Sequence, residues 1–187
     1  MTTLLQLSDV VAGYAEPVVG PVSLTVEAGQ CIGLAGPNGA GKSTLLRAIA
    51  GAVRVFSGRI ASSAALRLAW QQQQPVRPDE LPVSGRDYLR FAGATVRSPP
   101  PRLAEWLGQR VDSLSGGQFQ LLCVWAALGG AAQLVLLDEP TNNLDPMGEQ
   151  ALADALRQDS TGRAVLIVCH DRSFLEGACT RIVEIGS

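Results

Sequence analysis

Gly36-Pro37-Asn38-Gly39-Ala40-Gly41-Lys42-Ser43-Thr44 meets, at every position, the phosphate-binding pattern of Gly, four residues, Gly, Lys and Ser/Thr. Glycines let the backbone curl so that successive N–H groups converge on phosphate oxygens, and a helix that follows adds the partial positive charge of its N-terminus. Lys42 is expected to reach the β- and γ-phosphates, Thr44 to touch the α-phosphate side, and Ser43 to offer its hydroxyl to Mg2+, an ion satisfied by few protein oxygens. A Gly-rich turn with an incidental Lys-Ser is the plainer reading. The apolar run Cys31-Ile32-Gly33-Leu34-Ala35 before the loop and the helical spacing of Leu45 to Ala50 after it argue against that, because the mechanism needs a strand on one side and a helix on the other.

A second group of reactive side chains stands far downstream. Leu134-Val135-Leu136-Leu137 reads as a buried parallel strand ending in Asp138-Glu139-Pro140, at a strand end where α/β sheets carry their chemistry. With a phosphate loop in the chain, Asp138 is expected to hold magnesium, and Glu139 to act as general base on the water attacking the γ-phosphate. Without that loop the two acids would be an ordinary turn and helix cap. His170, the only histidine, follows the apolar run Ala164-Val165-Leu166-Ile167-Val168, where an imidazole can report on charge at the γ-phosphate or be a satisfied polar group. Gln71-Gln72-Gln73-Gln74 closes the alternation of Leu66, Leu68 and Trp70; amides there suit a nucleotide sensor or a solvated loop.

Leu114-Ser115-Gly116-Gly117-Gln118 has the form of a helix start. Ser115 and Gln118 make a capping box, and Leu114 with Phe119 a hydrophobic staple. Two glycines cost about 1 kcal/mol each against Ala inside a helix. Their presence points to a close approach by something anionic, a second phosphate contact at bare helix N–H groups. In Asn142-Asn143-Leu144-Asp145-Pro146, Asp145 is a natural N-cap with Pro146 at the first helical position. Tyr14 offers either packing area or a flat face for an adenine ring.

The elements that must hold these groups follow from the rest of the pattern. Leu4 to Val11 and Val22 to Val26 read as a half-buried antiparallel edge, Gly58-Arg59-Ile60 as a turn into strand, and Arg181 to Ile185 as a last strand. Between Pro75 and Asp112, six prolines punctuate two short helical patterns, Ser84 to Phe91 and Arg102 to Leu107. Pro99-Pro100-Pro101 reads as an extended connector. The 187 residues suffice for one core with an appended lobe, and a net charge of −2 without a Lys/Arg run advertises no nucleic acid. No apolar stretch reaches a membrane span's length and Met1-Thr2-Thr3 lacks a signal-peptide pattern, so a cytoplasmic protein is expected. The four cysteines have no close spacing and read as buried thiols without chemistry.

Taken together, LSGGQ at 114 to 118 between the phosphate loop and LLDEP at 136 to 140 resembles the nucleotide-binding subunit of an ATP-binding cassette (ABC) protein over the whole chain. The resemblance implies an α/β fold: a P-loop NTPase core with a mostly parallel sheet, an antiparallel N-terminal β edge and a small inserted helical lobe. It implies one domain, 1–187, with a RecA-like core at 1–74 and 129–187 and the lobe at about 75–128. By the same resemblance Tyr14 stacks on adenine, His170 is the switch histidine on the γ-phosphate, and Gln73, with Gln72 as the alternative, is the sensor glutamine sharing Mg2+ with Ser43 and Asp138. Leu114 to Gln118 then binds ATP held by a second subunit, identical or a sister, and Asp145 lies in the loop crossing to it. Transmembrane permease subunits would dock on the lobe, placing the protein at the inner face of the cell membrane, and Leu81-Pro82-Val83-Ser84 is similar to metal-ion importer subunits. Leu121 and Ala126 stand where arginines are common in the family. The motifs around Asp138 and His170 also look like soluble, ribosome-associated antibiotic-resistance and translation members. Those carry two cassettes in one chain, and this one has a single phosphate loop.

Overall fold

The computed structural model describes residues 2–73, 75–77, 82–158 and 162–186; Gln74 and Leu81 lie outside these. Its strands are β1 (Thr3–Gly13), β2 (Pro17–Glu27), β3 (Cys31–Ala35), β4 (Arg54–Ser62), β5 (Leu68–Gln71), β6 (Leu134–Asp138), β7 (Ala164–Val168) and β8 (Arg181–Glu184). Its helices are α1 (Lys42–Ile49), α2 (Gly85–Phe91), α3 (Pro101–Ala104), α4 (Gly116–Leu128), α5 (Pro146–Arg157) and α6 (Arg172–Ala178). β5, β6, β7, β3 and β8 pair in that order, all parallel, while β2, β1 and β4 form a separate antiparallel sheet.

Every residue of β3, β6 and β7 is buried, because both faces of the parallel sheet are covered. Ile32, Leu34, Leu134, Leu136 and Leu166 join one core with Leu45 and Leu46 of α1 and with the antiparallel sheet. Val135, Leu137, Val165 and Ile167 join the other, with α4, α5 and α6. Helix α4 lies between β5 and β6 on one side and the short helices α2 and α3 on the other, so it is apolar nearly all round. Leu121 is buried in that layer and Ala126 packs against it, so both departures from the family pattern fill apolar positions.

Two local expectations change. Gly58 is not in a turn but inside β4: with φ 78 it opposes Asp9, φ 48, in a bulge where the β1–β4 register slips, and a Cβ there would meet the Asp9 carbonyl oxygen at 2.2 Å. The triple proline is extended only as far as Pro100. Pro101 opens α3, where its missing N–H has no intrahelical partner to lose, and α3 ends at Ala104, short of Leu107. Among the described residues no helix is long and apolar enough to cross a membrane.

Candidate nucleotide site

β3 delivers the chain to Gly36 at the carboxyl edge of the parallel sheet. Gly36, Gly39 and Gly41 take φ values of 142, 83 and 84, which favour glycine over any L side chain. A Cβ on Gly36 would stand 2.3 Å from the Ile185 carbonyl oxygen and one on Gly41 2.6 Å from Val19 Cβ, so the curl is also sterically enforced. Lys42 is buried in the loop it closes, donating from Nζ to the Gly36 and Pro37 carbonyl oxygens at 2.8 and 2.9 Å.

Asp138 ends β6 fully buried. Its Oδ1 accepts from the Ser43 hydroxyl at 2.7 Å; its Oδ2 is buried with no hydrogen-bond partner among the described residues. Burial pushes its pKa up, against the lowering effects of the Ser43 hydrogen bond and of Arg47 and Lys42. A buried carboxylate oxygen without a partner, next to a hydroxyl at the head of a helix, is the donor set that fits a hard divalent cation.

Glu139 follows with φ 51, its N–H donating to the Val168 carbonyl at 2.8 Å. Its Oε2 lies 2.8 Å from His170 Nδ1 and accepts from the His170 N–H at 3.3 Å. A carboxylate only accepts, so this contact fits the His170 tautomer with its proton on Nδ1. Parallel pairing brings this about: Asp138 stands opposite Val168, so the chain leaves β6 and β7 side by side. Asn38, Gly39 and Gly41 to Thr44, with Gln73, Glu139 and His170, border one cleft of about 540 Å³, to which Val18 and Asn142 also contribute. Gln73 reaches this cleft, whereas Gln72 lines a different depression between the sheet and α2 and α4.

A family model described as ABC transporter matches residues 19–142. The chain belongs to the ABC transporter family. It is 34% identical over 177 residues to the zinc import ATP-binding protein ZnuC of Roseobacter denitrificans, covering 90% of this chain and 69% of that one. It is 35% identical over 197 residues to the protein of the same name from Paracoccus denitrificans, covering 98% and 76%. A solved ATP-binding subunit of an ABC transporter superposes with a TM-score of 0.83 at 26% identity, covering 97% of this chain and 85% of that one. The protein is thus an ATP-hydrolysing, ATP-binding subunit of an ABC transporter, whose partners are transmembrane permease subunits, and the ribosome-associated alternative is not favoured.

In this ABC subunit the remaining expected residues stand apart from the cleft. Ser115, Gly117, Gln118 and Asp145 border a second depression of about 320 Å³. The capping box forms in full: Gln118 N–H donates to Ser115 Oγ at 3.2 Å, and Ser115 N–H to Gln118 Oε1 at 2.9 Å. Leu114 and Phe119 are buried beside it. A Cβ on Gly117 would lie 2.3 Å from the Asn143 carbonyl oxygen, whereas Gly116 faces open space. Asp145 caps α5, accepting from Gly148 N–H at 2.6 Å, and pairs with Arg102 at 3.0 Å; the Gly148 bond first and Arg102 second hold its pKa below the usual carboxylate value. Tyr14, half-exposed after β1, accepts from Arg47, whose guanidinium lies 6.0 Å from the ring centroid. Cys169, given no role from sequence, puts its sulfur beside Thr141 and next to the Glu139–His170 pair. Only the β6–β7 register brings it there.

Proposed function

We propose that two copies of this chain, or this chain and a sister, clamp two ATP molecules between the phosphate loop of one and Leu114–Gln118 of the other, and that hydrolysis reopens the clamp to drive a permease. The division of the site supports this. Phosphate loop, Glu139 and His170 border one cleft, with Asp138 buried behind it on the Ser43 hydroxyl, while Ser115 and Gly117 border another. The loop N–H groups and Lys42 bind the phosphates, with Tyr14 against the base. Ser43, Gln73 and Asp138 hold Mg2+, which when bound offsets the charge on the β- and γ-phosphates. Glu139 orients and polarises the attacking water, and His170, tethered to that carboxylate, senses the γ-phosphate. The RecA-like core would comprise 1–74 and 129–187, with the helical lobe at about 75–128 offering the permease its docking surface. The subunit would then sit at the cytoplasmic face of the membrane.

The relatives named for zinc import support zinc as the solute. Glu139→Gln is expected to cut ATP turnover by about 10²–10⁴, the span of general-base catalysis, while ATP binding persists and an ATP-bound dimer accumulates on gel filtration. A variant as active as the parent would remove Glu139 from the role of base. For the transport reading, detergent extracts of membranes should yield a polytopic partner with this chain. Reconstituted with that partner, turnover should depend on zinc in the lumen; recovery with ribosomes instead would discard it.

A further inference from the structure

Cys169 is given no part in the nucleotide chemistry, yet its sulfur lies near the proposed base, Glu139, and the proposed γ-phosphate sensor, His170. A Glu139 carboxylate oxygen, Cys169 Sγ and a His170 ring nitrogen all lie within 4.8 Å of one another. The cluster is a product of topology, since β6 and β7 end in register and residues 139, 169 and 170 leave the sheet together. Carboxylate, thiolate and imidazole are the donors Zn2+ takes. With metal–ligand lengths of about 2.0–2.3 Å, tetrahedral donors stand roughly 3.3–3.8 Å apart, so this cluster has about 1 Å to close. The sulfur is already fixed in place. It is buried, shares a hydrogen bond with Thr141 Oγ1 at 3.3 Å and accepts from Asp171 N–H at 3.4 Å, contacts that orient and support a thiolate ligand. Three protein ligands leave the fourth position to water. Mg2+ is a hard ion that prefers the oxygens of Ser43 and Asp138 to a sulfur site.

We propose that Glu139, Cys169 and His170 form a regulatory site for Zn2+ or a cation of similar softness, and that hydrolysis stops while it is filled. Binding releases the Cys169 thiol proton to solvent and withdraws the Glu139 carboxylate and the His170 ring from the γ-phosphate. The binding half of this stands on donor geometry alone; the inhibitory half also rests on Glu139 as the base.

Co2+ titrated into the purified full chain without nucleotide should produce a thiolate-to-cobalt charge-transfer band that saturates at one ion per chain and is abolished by Zn2+. Cys169→Ser or Cys169→Ala should remove the band. Cys179→Ser should keep it, which excludes a band from the sulfur pair of Cys31 and Cys179 at 3.6 Å. With each protein scaled to its own ATPase rate in Mg2+ without Zn2+, Cys169→Ser should need at least about tenfold more Zn2+ for half inhibition. Absence of the band in the parent protein, or a band and inhibition unaltered by loss of Cys169, would overturn the site. A Cys169-dependent band with full turnover at saturating Zn2+ would overturn the regulation. Because the band is read without turnover, it reports on the metal site even if Glu139→Gln shows the base to be elsewhere.

Discussion

Asp138 shows what a single site residue costs the fold. Burial disfavours its charged form, so its pKa in the folded chain lies above the ordinary 3.8. For a carboxyl raised in this way, the folded state loses stability as the pH climbs from the unfolded pKa to the folded one, and above the folded pKa the whole penalty is present. Asp138→Asn keeps an oxygen for the Ser43 hydroxyl and removes the charge. It is expected to raise the Tm at pH 7 by about 2–4 °C, the effect of ~1 kcal/mol in a domain of this size, with the gain vanishing as the pH falls toward 3.8. The same variant should lose metal-dependent ATP hydrolysis, so calorimetry across pH and a phosphate-release assay should move in opposite directions. Lys42, Ser43, Asp138 and Glu139 were legible in the sequence because each is fixed by its neighbours in a short motif next to an apolar run. The Glu139–His170 contact and the place of Cys169 were not, because they depend on two strands 26 residues apart pairing in one register.

At the scale of the element, the start of α4 separates local from distant causes. Its capping box and staple are a matter of four residues close in sequence, and the sequence carried all of them: Ser115, Gln118 and the Leu114–Phe119 staple appear as the pattern demands. The glycine pair is different. The sequence implies a close approach to the backbone at both, but at Gly117 the approaching group belongs to the same chain, the Asn143 carbonyl oxygen, only 2.3 Å from where a Cβ would stand. A Cβ on Gly116 would meet nothing within 4 Å, which leaves room there for a group from outside the chain. Gly117→Ala is therefore expected to cost about 1–3 kcal/mol as an overpacking change, visible in a denaturant midpoint. Gly116→Ala should stay within about 0.5 kcal/mol of the parent yet weaken ATP-dependent dimerisation, measured by ultracentrifugation. If Gly116→Ala dimerises as the parent does, that face of α4 meets no nucleotide. Gly58 and Pro101 teach the same lesson in reverse. Each is a breaker by type, but a β1 bulge facing Gly58 of β4 and a helix start on α3 use the same backbone freedom or restriction inside an element.

For the whole molecule, the question is whether one chain can complete its own chemistry. The phosphate loop with Glu139 opens on one cleft and Ser115 with Gly117 on another, and Asp145, which borders the second, is tied to its own α5 and to Arg102. An exposed ion pair of that kind contributes little to stability, being solvated and screened, so the loop can exchange it for contacts across an interface. A divided site predicts complementation. Lys42→Ala removes the phosphate loop's charge and leaves the Ser115 face intact; Ser115→Arg does the opposite. Each alone should be nearly inactive. In an equimolar mixture, half the dimers combine the two chains, and each of those holds one site built from two sound halves, so turnover should recover to roughly a quarter of the parent rate if the dimer is two-fold symmetric. The recovered rate should also fall on dilution, as the mixed dimer comes apart. A mixture no more active than its components would mean that each chain closes its own pocket, and the assignment of Leu114–Gln118 to the nucleotide of a neighbour would fail with it.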